Sequence, residues 1–340
     1  MKRSLYALAL CGLALVAAPA PAAPRAAQEK PQPPAAPQAP EPEIKSARAV
    51  ESAADAAAAL KAAEAFVAKH PKSVLRSQVV RIAAHKIGAA PDAAQRVSLA
   101  ESLLKAFAAP GEADVINPYL VQAYIAASRL DDAYRVASLA AVEKFENPVG
   151  TMLHLALVGE TEARKQNLKF AEQSRQLGAR AAELIEGDKR PAAVEAAIWN
   201  EYRTTQLPRL YNALAVMSFI GKDVAGAKAH LAKAVAVKSA EPATYILLGS
   251  IADSEYQQAA TEHRTAAGAA RDELTKKAQA HSDAAVEAFA QAIALSEGNA
   301  GYDQLRPQLM QALEWHYKNR HNGSVEGVQQ LLDKYRKPKS

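Results

Sequence analysis

Trp315, His316 and Tyr317, followed by Asn319, Arg320 and His321, form the densest aromatic and polar patch in the chain. Such a patch could stack on a flat ligand and hydrogen-bond its edge. The same residues also fit a packing role. Trp315 would then turn inward, and Arg320 and His321 would end a helix where positive charge suits the dipole. Trp199 and Tyr202 pose the same choice. Their three-residue spacing puts both on one helical face, and core packing is the expected role. Glu160 and Glu162 stand beside Arg164 and Lys165 and are expected on an exposed helix face. A catalytic carboxylate pair needs burial and opposed geometry instead. The eight histidines are His70, His85, His154, His230, His263, His281, His316 and His321. No two stand three or four residues apart, the spacing that puts two imidazoles on one helical face for a metal. Each reads as a surface or helix-capping histidine. The sequence holds no His-Glu-x-x-His helix, no phosphate-binding glycine loop and no Gly-x-Ser-x-Gly elbow. These patterns assign no catalytic residue, no metal ligand and no cofactor, so the expected protein is not an enzyme.

The elements that carry these residues are expected to be helices. Hydrophobic residues make up 49% of the 340, much of this is Ala, and aromatics are only 6%. Ala is the strongest helix former and allows helices to approach closely, so a Gly-poor chain of this kind reads as all-α. The formal charge is +5. Without Lys2 and Arg3 it is 5 − 2 = +3, spread along the chain. The one basic cluster is Lys334, Arg336, Lys337 and Lys339 at the end. No dense basic stripe with stacking aromatics is present, so nucleic acid is not an expected partner.

The start has the layout of a secretory signal peptide. Lys2 and Arg3 precede an apolar run from Leu5 to Ala18, and small residues and prolines follow to Ala23. Ala20-Pro21-Ala22 places Ala at the −3 and −1 positions, which predicts cleavage after Ala22 and a periplasmic or secreted protein. The apolar run is shorter than the ~20 residues of a spanning helix, so no stable span is expected after cleavage. Cys11 is the only cysteine. Leu10 precedes it, where a lipoprotein signal has a small residue, so lipid anchoring there is not expected. Nine of the 19 prolines fall between Pro19 and Pro42, which predicts an extended, disordered tether over 23–43.

Helical periodicity then occupies 44–340. Leu60, Ala63, Phe66 and Val67 share a face before Pro71. Ser73 is placed to cap the next helix, which carries Val74, Val79, Ile82 and Ile87. Further helices are expected over Met152–Gly187 and Ala192–Gln206. Tyr211 and Tyr245 are 34 residues apart, as are Leu214 and Leu248, and Ala215 and Gly249. Ala227, Leu231 and Ala234 follow, with Gly221-Lys222-Asp223 as the turn and Asp223 as the cap of the second helix. A related unit carries Leu120, Tyr124, Ala133, Ala137 and Ala140 and closes at Pro148. After Tyr245 the second-helix residues Ala285, Phe289 and Ala292 arrive late, which predicts a helical insertion at about 255–282 with a break near Gly268. A last hairpin pairs Leu305–Lys318 with Val325–Tyr335 across Asn322-Gly323-Ser324.

This pattern resembles the tetratricopeptide repeat, a helix–turn–helix unit of 34 residues that stacks into a solenoid. The resemblance implies an α-solenoid that binds a protein or peptide partner in a concave groove lined by first helices. The groove positions fall on Arg209, Asn212, Val216 and Phe219 in one unit, and on Ala243, Ile246, Ser250 and Asp253 in the next. Asn212 alone echoes the carboxylate clamp of some relatives, so recognition of a C-terminal carboxylate is not expected. Residues Ala63–Ser73 look like the second helix and turn of repeats in bacterial envelope proteins. Two other readings stay open: an enzyme or carbohydrate-binding protein on a helical toroid, and a helper in outer-membrane assembly.

Overall fold

The computed structural model describes residues 39–336. The leader, Cys11, the cleavage position after Ala22, the tether through residue 38, and Lys337 and Lys339 lie outside the described residues. All regular structure among the described residues is helical.

Helix α1 (Glu41–Glu51) opens inside the stretch expected to be tether. Pro42 is no obstacle there, because a first-turn N–H has no partner to lose, and Glu41 and Glu43 complement the positive helix start. In α2 (Ala56–Lys69) the Asp55 carboxylate accepts from the Ala58 N–H at 2.8 Å. Its Leu60, Ala63 and Phe66 are buried and Val67 is half-buried. α3 (Arg76–Gly88) starts later than the Ser73 cap predicts. Ser73 Oγ accepts from the Leu75 N–H at 3.1 Å in a turn ahead of the helix, which leaves Val74 61% exposed and off the core face.

α4 (Ala93–Ala106), α5 (Glu112–Ala126), α6 (Leu130–Val136) and α7 (Leu139–Val142) follow. Leu120, Tyr124, Ala133 and Ala137 are buried as their spacing predicts. The second helix of that unit, however, is interrupted at Ala137–Ser138, and Ala140 is exposed. Pro148 opens the next helix rather than closing this unit. It lies in the first turn of α8 (Pro148–Arg164), capped by Asn147. α9 (Ala171–Glu186) packs back on α8. α10 (Ala196–Glu201) continues through a π-turn at Tyr202–Gln206 into α11 (Leu207–Ile220). Trp199 is buried and donates from Nε1 to Asp188 at 2.8 Å, as a core aromatic with a polar handle does.

α11 and α12 (Val224–Ala236) form the hairpin that the repeat describes. Lys222 takes a φ of +65° in the turn, and Asp223 Oδ1 accepts from the Gly226 N–H at 2.8 Å. Tyr211, Leu214, Ala215, Ala227, Leu231 and Ala234 are all 0–1% exposed. α13 (Pro242–His263) and α14 (Gly268–Ser296) make a long hairpin that breaks at Gly268, where φ is +55°. α15 (Arg306–Arg320) and α16 (Val328–Tyr335) pack against α14. Helices thus pair in chain order, with α11 resting on α8 and α9, as hairpins of a helical repeat do.

The buried side chains fall into a large core from α1 through α12 and a second core in α13–α16. Ala215, Ala227, Leu231 and Ile251 form a small cluster joining α11 and α12 to α13. Tyr245 is buried, but Leu248 is only half-buried at this joint. The insertion is a projection only in its outer part. Ala259 and Ser282 are buried, and Ser282 Oγ is within hydrogen-bond distance of His316 of α15, so its base is enclosed. No helix among the described residues is long and apolar enough to cross a membrane.

Candidate functional site

The first-helix faces of α8 and α11 meet in an open cleft of about 760 Å³. Arg209 lines it from α11, and His154, Thr161 and Glu162 line it from α8, with Phe170 at the start of α9. Leu157 and Val158, both half-buried, supply an apolar floor. Most charge in this cleft is already matched. Glu162 accepts from Lys165 Nζ and Asn167 Nδ2, each at 2.9 Å, and these donors hold its carboxyl below the usual range. Asp131 pairs with Lys169 at 2.5 Å. Arg209 is exposed and, among the described residues, has no ion-pair partner. His154 opens into the cleft, but the surrounding protein desolvates it and lowers its pKa, which favours the neutral ring at neutral pH. A guanidinium above an apolar floor with a polar rim can hold an extended chain that carries an acidic group.

The residues expected to form the groove do not all come together. Asn212 is 8% exposed and Val216 is 7% exposed, so neither can reach a partner. The reason is the central position of α11, which packs on α8, α9, α12 and α13 together and buries every residue from Leu210 to Ser218. Asn212 Oδ1 is left inside without a hydrogen-bond donor. Phe219 is 37% exposed at the far end of α11 and does not line the cleft with Arg209. Ala243 and Ile246 are half-buried, Ile246 against the second core. Ser250 is exposed, and its Oγ donates to the Ile246 carbonyl at 2.9 Å. Asp253 turns to α15.

There it meets His316, which is 1% exposed rather than at the surface. Asp253 Oδ1 lies 3.0 Å from His316 Nε2, and Ser282 Oγ lies 3.0 Å from Nδ1. The consistent tautomer donates from Nε2 to the carboxylate and accepts the Ser282 hydroxyl at Nδ1. Burial pushes the His316 pKa down, and the Asp253 contact opposes it. A serine, a histidine and an aspartate in one chain of hydrogen bonds is the composition of a hydrolytic triad. Its nucleophile is missing in practice. Ser282 is 0% exposed in mid-helix, so a carbonyl carbon could not reach Oγ. Trp315, expected to pack inward, is instead 44% exposed, with its ring edge-on to Tyr256 at 5.3 Å.

No family model matches the chain, and neither curated proteins nor solved structures return a match. The site therefore rests on its own geometry.

The inward turn of His316 has a legible signal. Leu309, Leu313 and His316 are spaced four and three apart, which is one helical face, and Trp315 lies off it. The cleft at Arg209 has no such signal. Its walls come from α5, α6, α8 and α11, and Met152–Gly187 carries too little repeat pattern to place His154 beside Arg209. Among the described residues no group of three or more His, Cys, Asp or Glu is placed to hold a metal ion.

Proposed function

We propose that this chain is an exported, non-enzymatic scaffold of stacked tetratricopeptide-like hairpins that binds an extended peptide segment of another envelope protein. The observation that carries this reading is the open cleft shared by α8 and α11, with the unpaired Arg209 guanidinium at its wall. The 34-residue interval and the large–small pairs Leu214–Ala215 and Leu248–Gly249 support the repeat. Export rests on the charged, apolar and Ala-Pro-Ala order of the leader. The partner surface centres on Arg209, with Phe219 as a separate exposed apolar contact further along α11. A second reading, an enzyme on a helical frame, has one observation in its favour, the Ser282–His316–Asp253 chain. The burial of Ser282 counts against it.

Crosslinked capture from the native envelope, followed by affinity measurement with the captured segment, tests the scaffold. Arg209→Ala should weaken binding by about ten-fold, the scale of one charged hydrogen bond, while helicity and melting stay unchanged. Full binding by that variant, with loss on altering Trp315–His321, would move the site to an edge of the stack.

A further inference from the structure

A second cleft, of about 330 Å³, lies where the long α13–α14 hairpin meets the end of α15. That volume is at the small-molecule end of binding sites, which run from roughly 300 to 1,000 Å³. Tyr256, His263 and Arg264 line it from α13 and the residue after it, Gln279 from α14, and Asn319 and Arg320 from α15. Its wall holds no Asp or Glu. Four other clefts each hold at least one: Asp131 and Glu162, Asp55, Glu255 and Glu287, or Asp188.

The positive charge here is only partly matched. Arg320 donates to Asp283 from Nε at 2.6 Å and from Nη2 at 3.1 Å, which leaves Nη1 over. Arg264 has no ion-pair partner among the described residues. Arg271 Nε donates to His263 Nε2 at 3.3 Å, so a further guanidinium stands behind that ring. Asn319 and Gln279 add neutral amide donors. The rest of the wall is two hydroxyl residues, Thr275 and Ser282, and an apolar part. Ala260 and Ala278 are half-buried, and the Tyr256 ring is fixed edge-on by Trp315 and by His316, each at 5.3 Å.

We propose that this cleft binds a small organic oxyanion, with the carboxylate or phosphate on Arg264 and the Asn319 and Gln279 amides, and the apolar body against Tyr256. Both head groups offer the same acceptor oxygens to a guanidinium and to amide donors. The site also gives a use to the insertion, whose residues the repeat does not need. It is separate from the Arg209 cleft, so its success or failure leaves the scaffold reading untouched. Arg264 has one alternative role, since it follows the last residue of α13, where a cation complements the helix dipole.

Calorimetry on the protein at low ionic strength, with inorganic phosphate, phenyl phosphate, benzoate and neutral benzamide as probes, tests the proposal. Phenyl phosphate or benzoate should bind saturably and raise the melting temperature, and the better of the two identifies the head group. Benzamide should not bind, and inorganic phosphate should bind more weakly than phenyl phosphate. Arg264→Gln should weaken binding about ten-fold, the scale of one charged hydrogen bond. Gln279→Glu should abolish binding by placing a carboxylate in the wall. Arg209→Gln should change nothing. Both cleft variants should melt like the parent without ligand, because their side chains are exposed. The proposal fails if no probe binds saturably, if benzamide binds as well as benzoate, or if Arg264→Gln binds as tightly as the parent. A melting loss in ligand-free Arg264→Gln with unchanged affinity would assign Arg264 to the helix dipole alone.

Discussion

Gly249 of α13 lies against the ring of Phe289 of α14, so that a Cβ built on Gly249 would come within 2.6 Å of ring carbons Cδ1 and Cε1. Phe289 is 4% exposed and has no room to retreat. The small residue after Leu248 is therefore a contact requirement between two helices. Gly249→Ala gains up to about 1 kcal/mol of helix propensity and loses about 1–3 kcal/mol to overpacking. The loss should win, and urea denaturation should show a lower midpoint. An unchanged or higher midpoint would mean that the hairpin can spread at no cost.

Leu231 is 0% exposed in the cluster that joins α11 and α12 to α13, whereas Leu248 is half-buried beside it. Leu231→Ala should cost about 2–5 kcal/mol, the range for a fully buried leucine. Leu248→Ala should cost clearly less, because the area it removes is partly in water already. Equal losses in chemical denaturation would contradict the packing at this joint.

His316, His154 and His230 all have pKa values pushed down by desolvation from the ordinary value of 6.5. The unfolded chain then binds more protons than the folded one as pH falls through this region. Their contribution to stability is complete above about pH 6.5 and is lost progressively below it, towards the lowered folded values. Denaturation midpoints should fall between neutral and mildly acidic pH. His316→Gln should be less stable at neutral pH, since it breaks the bridge between Asp253 and Ser282, but its midpoint should fall less on acidification. Identical pH slopes for parent and variant would show that His316 takes up its proton without strain.

The outer and inner parts of the α13–α14 hairpin should behave differently. Residues 262–271 are exposed or half-buried. Replacing them with a short glycine turn should leave one cooperative unfolding transition. A larger deletion that also takes Ala259 and Ser282, both buried, should lower stability sharply. Loss of cooperativity in the short deletion would make the tip part of the core.

The all-α class, the α11–α12 hairpin and its turn, and the break at Gly268 were legible in the sequence because they depend on local features. Apolar spacing along one helix, an Asp at a cap and a Gly with φ of +55° declare themselves within a few residues. Burial of Tyr211, Leu214 and Leu231 follows from the same 34-residue register. What the sequence alone could not decide is which first-helix positions stay open. Asn212 and Val216 are enclosed because four other helices pack on α11, and no property of α11 itself counts its neighbours. Arg209 and His154 share a cleft, and Asp253 and Ser282 share His316, across 55, 63 and 34 residues of chain. Such pairings arise when separate helices dock, so only the tertiary structure could place the charges that a ligand would meet.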